Sequence, residues 1–172
     1  MVVLAPLGLV FALSAGIHRM KASTAQTIFW IYAGLMGLSL ASIFVAFTGT
    51  SIARVFFITA AAFGGLSLYG YTTKRNLSGF GTFLVMGLIG LIVASLVNLF
   101  LQSTGLQFVI SAAGVLIFAG LTAYDTQNIK ELYLASDSSE AAAKKSVMGA
   151  LRLYLDFLNL FLFLLQFLGE RR

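Results

Sequence analysis

Long apolar runs alternate with short polar connections along this chain. The runs occupy roughly residues 1–17, 24–47, 52–72, 80–101, 106–127 and 147–168. A membrane-spanning helix needs about 20 predominantly apolar residues, within a range of ~17–25. Five of the runs meet this length, and the first is marginal. The pattern therefore predicts an all-α, polytopic membrane helix bundle that forms one domain with six spans.

The first run begins abruptly at Met1. It has neither a polar lead-in nor the basic segment that opens a signal peptide. This pattern is typical of the final part of a longer helix. We therefore expect the chain to be an amino-terminally shortened version of a larger protein.

Composition supports the membrane assignment. Hydrophobic residues make up 59% of the chain and charged residues 10%, whereas about 25% of residues are charged in soluble domains. The chain has no cysteine, which excludes disulfides and thiolate metal sites. The net charge of +5 does not indicate a nucleic-acid partner, because the basic residues lie mostly in the connections, where they act as topology signals.

The distribution of basic residues predicts the orientation. If successive connections alternate between the two membrane faces, one face carries eight basic residues and the other carries three. The eight are Arg19, Lys21, Lys74, Arg75, Lys130, Lys144, Lys145 and Arg152, and the three are Arg54, Arg171 and Arg172. By the positive-inside rule the first face is cytoplasmic, so the carboxyl terminus is predicted to lie outside.

Capping and packing signals refine this picture. Ser23-Thr24 is a candidate cap for the second run, and Asp137-Ser-Ser-Glu140 for a helix leading into the last one. The one long polar connection covers residues 128–146. Small residues at helix-packing spacing predict close contacts between helices: Gly37 with Ala41, Ala60 with Gly64, and Gly90 with Ala94.

Two aspartates lie inside apolar runs. Asp156 has Arg152 one turn before it and Asn159 one turn after it, and Asp125 follows Tyr124 near the end of the fifth run. A carboxylate inside a membrane helix is costly, and such residues usually face the protein interior and mark an ion or proton pathway. We therefore predict that Asp125 and Asp156 form one site.

Depth in the membrane decides whether the two aspartates can meet. At ~1.5 Å per residue, Asp125 lies about 7 Å inside Lys130 and Asp156 about 6 Å inside Arg152. If Lys145 marks the interface instead, Asp156 is about 16 Å deep and the match between the two depths weakens. Two alternatives stay open: Asp156 pairs locally with Arg152 on one helix face, and Asp125 is a water-exposed carboxylate at a helix end.

A meeting of the two carboxyl groups would have chemical consequences. Burial and like charge both oppose the second ionisation, so the pair would share one proton and titrate as a unit. Such a pair is a pH-sensitive latch, and its oxygens could also bind a hard cation such as Ca²⁺. Asn98 and Asn159 are expected to form interhelical hydrogen bonds. The six tyrosines, Tyr124 among them, form either an interfacial belt or a hydrated vestibule on the cytoplasmic side.

Five segments carry a family resemblance. They are Ala5-Pro-Leu7, Arg54-Val-Phe-Phe-Ile-Thr-Ala-Ala-Ala-Phe63, Leu68-Tyr-Gly-Tyr-Thr-Thr-Lys74, Phe118-Ala-Gly-Leu-Thr-Ala-Tyr-Asp-Thr-Gln127 and Gly149-Ala-Leu-Arg-Leu-Tyr-Leu-Asp-Phe-Leu-Asn159. With these segments the chain resembles the Bax inhibitor-1 (transmembrane Bax inhibitor motif) family, and specifically its bacterial members. The resemblance covers nearly the whole chain, and the last two segments are the most specific.

The resemblance implies both a fold and a function. The fold has seven helices, with the last one central and the other six around it in two layers, and this chain would supply spans two to seven. The function is a pH-sensitive calcium leak channel of the bacterial inner membrane. Asp125 and Asp156 would be its sensor, with Arg152, Asn159 and Tyr124 as supporting residues. The expected partners are the lipid bilayer, calcium ions and protons, and no cofactor is predicted.

Two other functions compete with the channel. The protein could be an interaction partner of a membrane protease or another quality-control protein, with purely structural aspartates. Two intramembrane aspartates also resemble the catalytic pair of an intramembrane aspartyl protease, in which carboxylates that share a proton activate a water. The Gly-x-Gly-Asp motif of those enzymes is absent, because Asp156 follows Leu-Tyr-Leu. We therefore predict that the protein is not an enzyme.

Overall fold

The computed structural model describes residues 15–172, and this part of the chain is helical. Five helical segments in these residues are long and apolar enough to cross a membrane, and one of the five consists of two consecutive helices. The prediction of an all-α membrane protein is therefore confirmed. The predicted first span at 1–17 lies outside the described residues except for its last three, so the count of six spans and the seven-helix fold stay predictions. The helices are α1 (Ala22–Leu40), α2 (Ile43–Ala46), α3 (Gly49–Thr72), α4 (Ser78–Leu101), α5 (Thr104–Leu132) and α6 (Ser139–Leu168).

The second predicted span is interrupted. Helices α1 and α2 together cover Ala22–Ala46, but the chain turns between them. The backbone N–H of Ala41 bonds to the carbonyl of Leu38 at 3.2 Å, which is a tighter turn than an α-helix makes. The hydroxyl of Ser42 donates to the carbonyl of Ser39 at 3.0 Å. The span predicted at 24–47 therefore corresponds to Ala22–Ala46, with a tight turn inside it.

Hydroxyl side chains cap three of the long helices. Thr48 accepts a hydrogen bond from the N–H of Ser51 at the start of α3, and Ser103 does the same at the start of α5. Ser138 caps α6 by accepting from the N–H of Ala141 at 3.1 Å. This confirms the cap predicted from Asp137-Ser-Ser-Glu140. The free N–H groups of a helix start need such acceptors.

The start of α1 is capped from another helix. Its N-cap residue is Lys21, whose side chain makes no capping bond. The backbone N–H of Ala22 donates instead to a carboxylate oxygen of Glu140 in the first turn of α6. The cap predicted at Ser23-Thr24 is therefore wrong, because a carboxylate from a neighbouring helix satisfies the helix start.

The long polar connection is also shorter than predicted. Helix α5 continues to Leu132 and α6 begins at Ser139, so most of residues 128–146 are helical. The ammonium of Lys145 ties the short remaining connection together, since it bonds to the carbonyl of Leu132 at 2.8 Å and to Asp137 at 2.7 Å.

Helices α5 and α6 form the centre of the described bundle. Helix α5 packs against α3, α4 and α6, and helix α6 packs against α1, α3 and α5. Each carries a long series of buried residues, and Leu160 and Leu165 of α6 are almost completely enclosed. The last helix thus lies among the others, as expected from the family resemblance, but it shares the central position with α5.

Glycines set the closest helix contacts, but not the predicted ones. Within residues 15–172, a methyl group added at Gly37, Gly64 or Gly90 would meet no atom of another helix within 4 Å, so no helix of this part of the chain packs closely on these three glycines. Gly70 of α3 does, because an added Cβ would lie only 2.9 Å from the carbonyl carbon of Ala123 in α5. Spacing alone identified the wrong glycines because it does not show which helix face is covered.

The tyrosines divide into two groups. Tyr32 and Tyr154 pack edge to face with ring centres 5.8 Å apart, between α1 and α6, and Tyr32 is fully buried. Tyr69, Tyr71 and Tyr133 are exposed, as expected of an interfacial belt. The belt hypothesis therefore describes only part of the set.

The two ends of the bundle differ in charge. We call the end with residues 73–77, residues 133–138 and the start of α1 the basic end. The opposite end, called the tail end, carries the connections at 47–48 and 102–103 and the carboxyl-terminal residues 169–172. The tail is anchored there, since Glu170 accepts from the N–H of Thr48 at 3.1 Å and its own N–H bonds to Ser51 at 2.8 Å. The prediction of orientation assumed the same grouping of connections at the two ends.

Candidate functional site

A cavity of about 630 Å³ lies between α4, α5 and α6. Most of its walls are apolar, and its polar lining residues are few. They are Ser95 of α4, Asp125 of α5, and Arg152, Asp156 and Asn159 of α6. The cavity therefore brings both intramembrane aspartates to one place. A mostly apolar pocket with a few converging polar groups is the usual form of a binding or functional site.

The two carboxyl groups are neighbours. Asp125 and Asp156 line the same cavity, and the carboxyl group of Asp125 is near enough to act electrostatically on that of Asp156. Asp156 is 5% exposed, and its Oδ2 atom is buried with no hydrogen-bond donor among the described residues. An unpaired buried carboxylate oxygen is costly. The structure leaves this oxygen without a donor from residues 15–172.

The sequences of α5 and α6 explain why the two aspartates lie next to buried residues. Asp156 lies one turn before Leu160 on the buried face of α6, so its side chain shares that face. Asp125 follows the buried residues Leu121, Thr122 and Ala123 on α5. The hydroxyls near it cannot donate to the pair, because Thr122 and Thr126 bond to carbonyls of their own helix.

Arg152 lines the cavity without forming a close ion pair. Its charge acts on Asp156, but no side-chain nitrogen of Arg152 lies within 4.0 Å of an acidic oxygen in residues 15–172. The local pair considered as an alternative for Asp156 is therefore not present as a salt bridge. The water-exposed position considered for Asp125 does not describe it either, since that residue is partly buried in the cavity wall.

Asn159 and Asn98 differ in their hydrogen-bond partners. The amide of Asn159 donates to the carbonyl of Leu155 in its own helix at 2.8 Å, so the predicted interhelical bond is wrong there. Asn98 confirms the prediction, because its amide donates across to Gln107 of α5 at 3.0 Å. Asn159 nevertheless lines the aspartate cavity.

Tyr124 does not join the aspartate pair. Its ring packs on Gly81 of α4, where an added Cβ would lie 2.7 Å from the ring. It lines a different cavity, of about 340 Å³, together with Tyr69 and Arg75. The side chains of two successive residues on α5, Tyr124 and Asp125, thus serve different cavities.

A chain of amides at the tail end was not predicted from the sequence. Gln107 accepts from Asn98 of α4 and donates to Gln166 of α6 at 2.8 Å. Ser111 adds a bond to Gln166 at 3.3 Å. These bonds tie together the three helices that line the cavity, on its tail side. Glutamines in the apolar runs at 106–127 and 147–168 were the signal that could have indicated the network.

The cavity does not form a dedicated metal cage. Among the residues that the structure describes, no group of three or more His, Cys, Asp or Glu side chains could hold a metal ion. Asp125, Asp156 and the Asn159 amide offer fewer ligands than the 6–8 oxygens that Ca²⁺ takes. Water would have to complete the shell of a Ca²⁺ ion bound there.

Comparisons with known proteins assign the family. The family model described as "Inhibitor of apoptosis-promoting Bax1" matches residues 1–172. An uncharacterised protein of Rickettsia prowazekii is 53% identical over 171 residues, which cover 99% of this chain and 72% of the relative. The inner membrane protein YbhL of Escherichia coli is 50% identical over 172 residues, which cover 99% of this chain and 74% of that protein.

These matches confirm two predictions. The similarity to an inner membrane protein, together with the apolar helices of the structure, confirms a multi-pass inner-membrane protein. The match of the family model extends over the motifs that contain Asp125 and Asp156. The chain belongs to the Bax inhibitor-1 family.

Proposed function

We propose that this protein is a calcium leak channel whose conduction depends on a proton shared by Asp125 and Asp156. The observation that carries the proposal is the position of both carboxyl groups in one cavity inside a membrane helix bundle. Ionisable side chains at such depth usually serve ion or proton pathways, because their burial is costly.

A shared proton would give the buried carboxyl group of Asp156 a hydrogen bond that the described residues do not provide. Oδ2 of Asp156 has no donor within the described chain, and a proton held between the carboxyl groups gives this oxygen a partner. The same proton removes the repulsion between two negative charges in a poorly solvated place. In this state Asp125 and Asp156 hold α5 and α6 together.

Loss of the shared proton makes the contact between the two carboxyl groups repulsive. Two negative charges then face each other at the α5–α6 contact, and water or a cation must enter to screen them. Calcium is a suitable cation, because it prefers carboxylate and water oxygens. The charge state of the pair thus controls what the cavity admits.

The cavity supplies part of a path across the membrane. Its lining on α6 runs from Arg152 to Phe163, which is about 16 Å at ~1.5 Å per residue, or roughly half of a ~30 Å hydrocarbon core. At the tail end the amide chain of Asn98, Gln107 and Gln166 ties the lining helices together. In this proposal the described arrangement is the closed form, and conduction requires movement at this end.

Flux measurements test the proposal directly. The purified chain is reconstituted into liposomes that contain a calcium indicator, and calcium entry is followed from acid to neutral pH against protein-free liposomes. We expect a protein-dependent leak that varies with pH. Absence of calcium flux at every pH would contradict the channel and leave an interaction protein as the better hypothesis, whereas a leak independent of pH would contradict the role of the aspartate pair.

A further inference from the structure

A second cavity, of about 450 Å³, lies at the basic end between the ends of α3, α5 and α6. Three cationic side chains line it, Lys130, Lys145 and Arg152, and its described lining includes no acidic residue. We call it the basic cavity. Three positive charges around one pocket point to an anionic ligand.

The two lysines are held in place yet keep free donors. The ammonium of Lys130 donates to the carbonyl of Tyr71 at 2.6 Å and lies 5.1 Å from the centre of the Tyr71 ring. The ammonium of Lys145 donates to Leu132 and to Asp137. Since each ammonium has three donors, Lys130 retains two and Lys145 one. Asp137 neutralises part of the charge of Lys145, so Lys130 and Arg152 dominate.

Arg152 is the strongest donor of the basic cavity. Its guanidinium forms no hydrogen bond or ion pair with another residue in the described chain. A guanidinium has five N–H donors in a planar fork that fits the oxygens of a phosphate. The fork therefore lies in the cavity wall without an acceptor from residues 15–172.

The surroundings of the basic cavity favour a lipid as the source of the phosphate. Ile129 and Met148 form apolar lining, and Leu132 and Tyr133 at its rim are exposed. An apolar rim next to clustered cations at a helix end matches the level of lipid headgroups. Anionic lipids there attract basic residues by ~1 kcal/mol each.

We propose that the basic cavity binds the phosphodiester of an anionic phospholipid, with Arg152 and Lys130 as the main phosphate ligands. A soluble phosphate ester has the same recognition chemistry, and the experiment distinguishes the two sources. The proposal concerns binding alone and its test measures no flux, although Arg152 also lines the aspartate cavity.

Thermal unfolding of the full chain in a non-ionic detergent provides the test. Phosphatidylglycerol, phosphatidylcholine with the same acyl chains, and inorganic phosphate are added separately at equal concentration. We expect phosphatidylglycerol to raise the Tm more than the other two. Lys130→Gln and Arg152→Gln should each lose at least half of that shift. Lys74→Gln is the matched control, because Lys74 is an exposed lysine at the same end that does not line the basic cavity.

Each outcome decides the proposal. Equal shifts with phosphatidylglycerol and phosphatidylcholine, or an undiminished shift in both cavity variants, would overturn it. A full shift with inorganic phosphate would assign the cavity to soluble anions and overturn the lipid source. If a cavity variant does not fold, the wild-type protein is isolated from an equal mixture of the two lipids and weighed as an intact complex. Enrichment of bound phosphatidylglycerol supports the proposal, and equal retention of the lipids contradicts it.

Discussion

The carboxyl groups of Asp125 and Asp156 meet across the contact between α5 and α6. The register of these two helices brings them together, since Gly149 of α6 lies directly against Ile129 of α5, where an added Cβ would be 3.1 Å from the isoleucine side chain. From that contact, Asp125 lies four residues deeper on α5 and Asp156 seven residues deeper on α6, which is about 6 and 10 Å at ~1.5 Å per residue. The equal depths estimated from Lys130 and Arg152 therefore do not follow from this register, although both aspartates line the same cavity.

The contact of Gly70 with Ala123 predicts a severe effect of a single methyl group. Gly70→Ala would push a Cβ against the backbone of α5, and backbone cannot move aside as a flexible side chain can. We expect a loss of about 1–3 kcal/mol of stability, measured by thermal unfolding in detergent.

Gly65→Ala is the matched control for that prediction. Gly65 lies on the same helix, and an added Cβ would meet no atom of another described helix within 4 Å. Because alanine favours helix more than glycine does, this variant should be neutral or up to ~1 kcal/mol more stable. Equal destabilisation of both variants would show that glycine flexibility, and not the close approach, is required in α3.

The hydrogen bonds of the Gln127 side chain predict that its replacement by alanine lowers the stability of the fold. Its side chain accepts from the N–H of Leu77 at 2.8 Å and donates to the carbonyl of Arg75 at 2.7 Å, which fixes the connection between α3 and α4 onto α5. Gln127→Ala leaves the buried N–H of Leu77 without a partner, and we expect a loss of about 1–3 kcal/mol. Gln26→Ala, at an exposed position, should stay within ~0.5 kcal/mol of the wild type. Thermal unfolding curves of the two variants that coincide would contradict the role of Gln127.

Asp137 lies outside the membrane spans, and its ion pair with Lys145 predicts that stability depends on pH. The hydrogen bond from Lys145 is the main cause that lowers the pKa of Asp137 below its usual value. A carboxyl group with a lowered folded-state pKa stabilises the fold while it is ionised. This contribution is complete above the unfolded pKa of ~3.9 and disappears as the pH falls through the lower folded value.

Asp137→Asn tests this sign. The variant should be less stable than the wild type at neutral pH, and the difference in Tm should shrink as the pH falls below ~4. Glu131→Gln, an exposed carboxylate on α5, serves as the control. A difference in Tm between wild type and Asp137→Asn that stays constant down to acid pH would contradict the prediction.

The orientation can be tested by cysteine labelling, because the chain has no cysteine. Ala135 lies in the exposed connection at the basic end and Thr50 near the tail end. On the count of eight basic residues against three, we expect an impermeant reagent to label Thr50→Cys in intact cells and to spare Ala135→Cys. The reverse pattern would place the basic end outside.

The sequence was most informative where a property depends on one helix at a time. Apolar length identified the described spans, and the capping pattern located the start of α6 at Ser139. The isolated carboxylates at Asp125 and Asp156 marked the candidate site because charge is rare in such runs. Each of these signals reflects the solvent around a segment and does not require knowledge of its neighbours.

Properties that depend on helix partners could not be predicted in the same way. Glu140 caps α1 from another helix, and no local pattern at Ala22 indicates that bond. The amide chain through Gln107 joins three helices and requires knowledge of which faces meet. Tyr124 adjoins Asp125 in sequence, yet the ~100° turn between successive helical residues directs the two side chains to different cavities.

Calcium flux of Asp125→Asn as a function of pH tests the central claim most directly. This variant removes one carboxylate from the pair and leaves Arg152 and Asp156 in place, and Glu131→Gln is a control for loss of a carboxylate elsewhere. The account predicts that Asp125→Asn shifts or flattens the pH dependence, that Asp156→Asn does the same, and that the double variant shows no further change. Superimposable curves for folded wild type and Asp125→Asn from acid to neutral pH would contradict it.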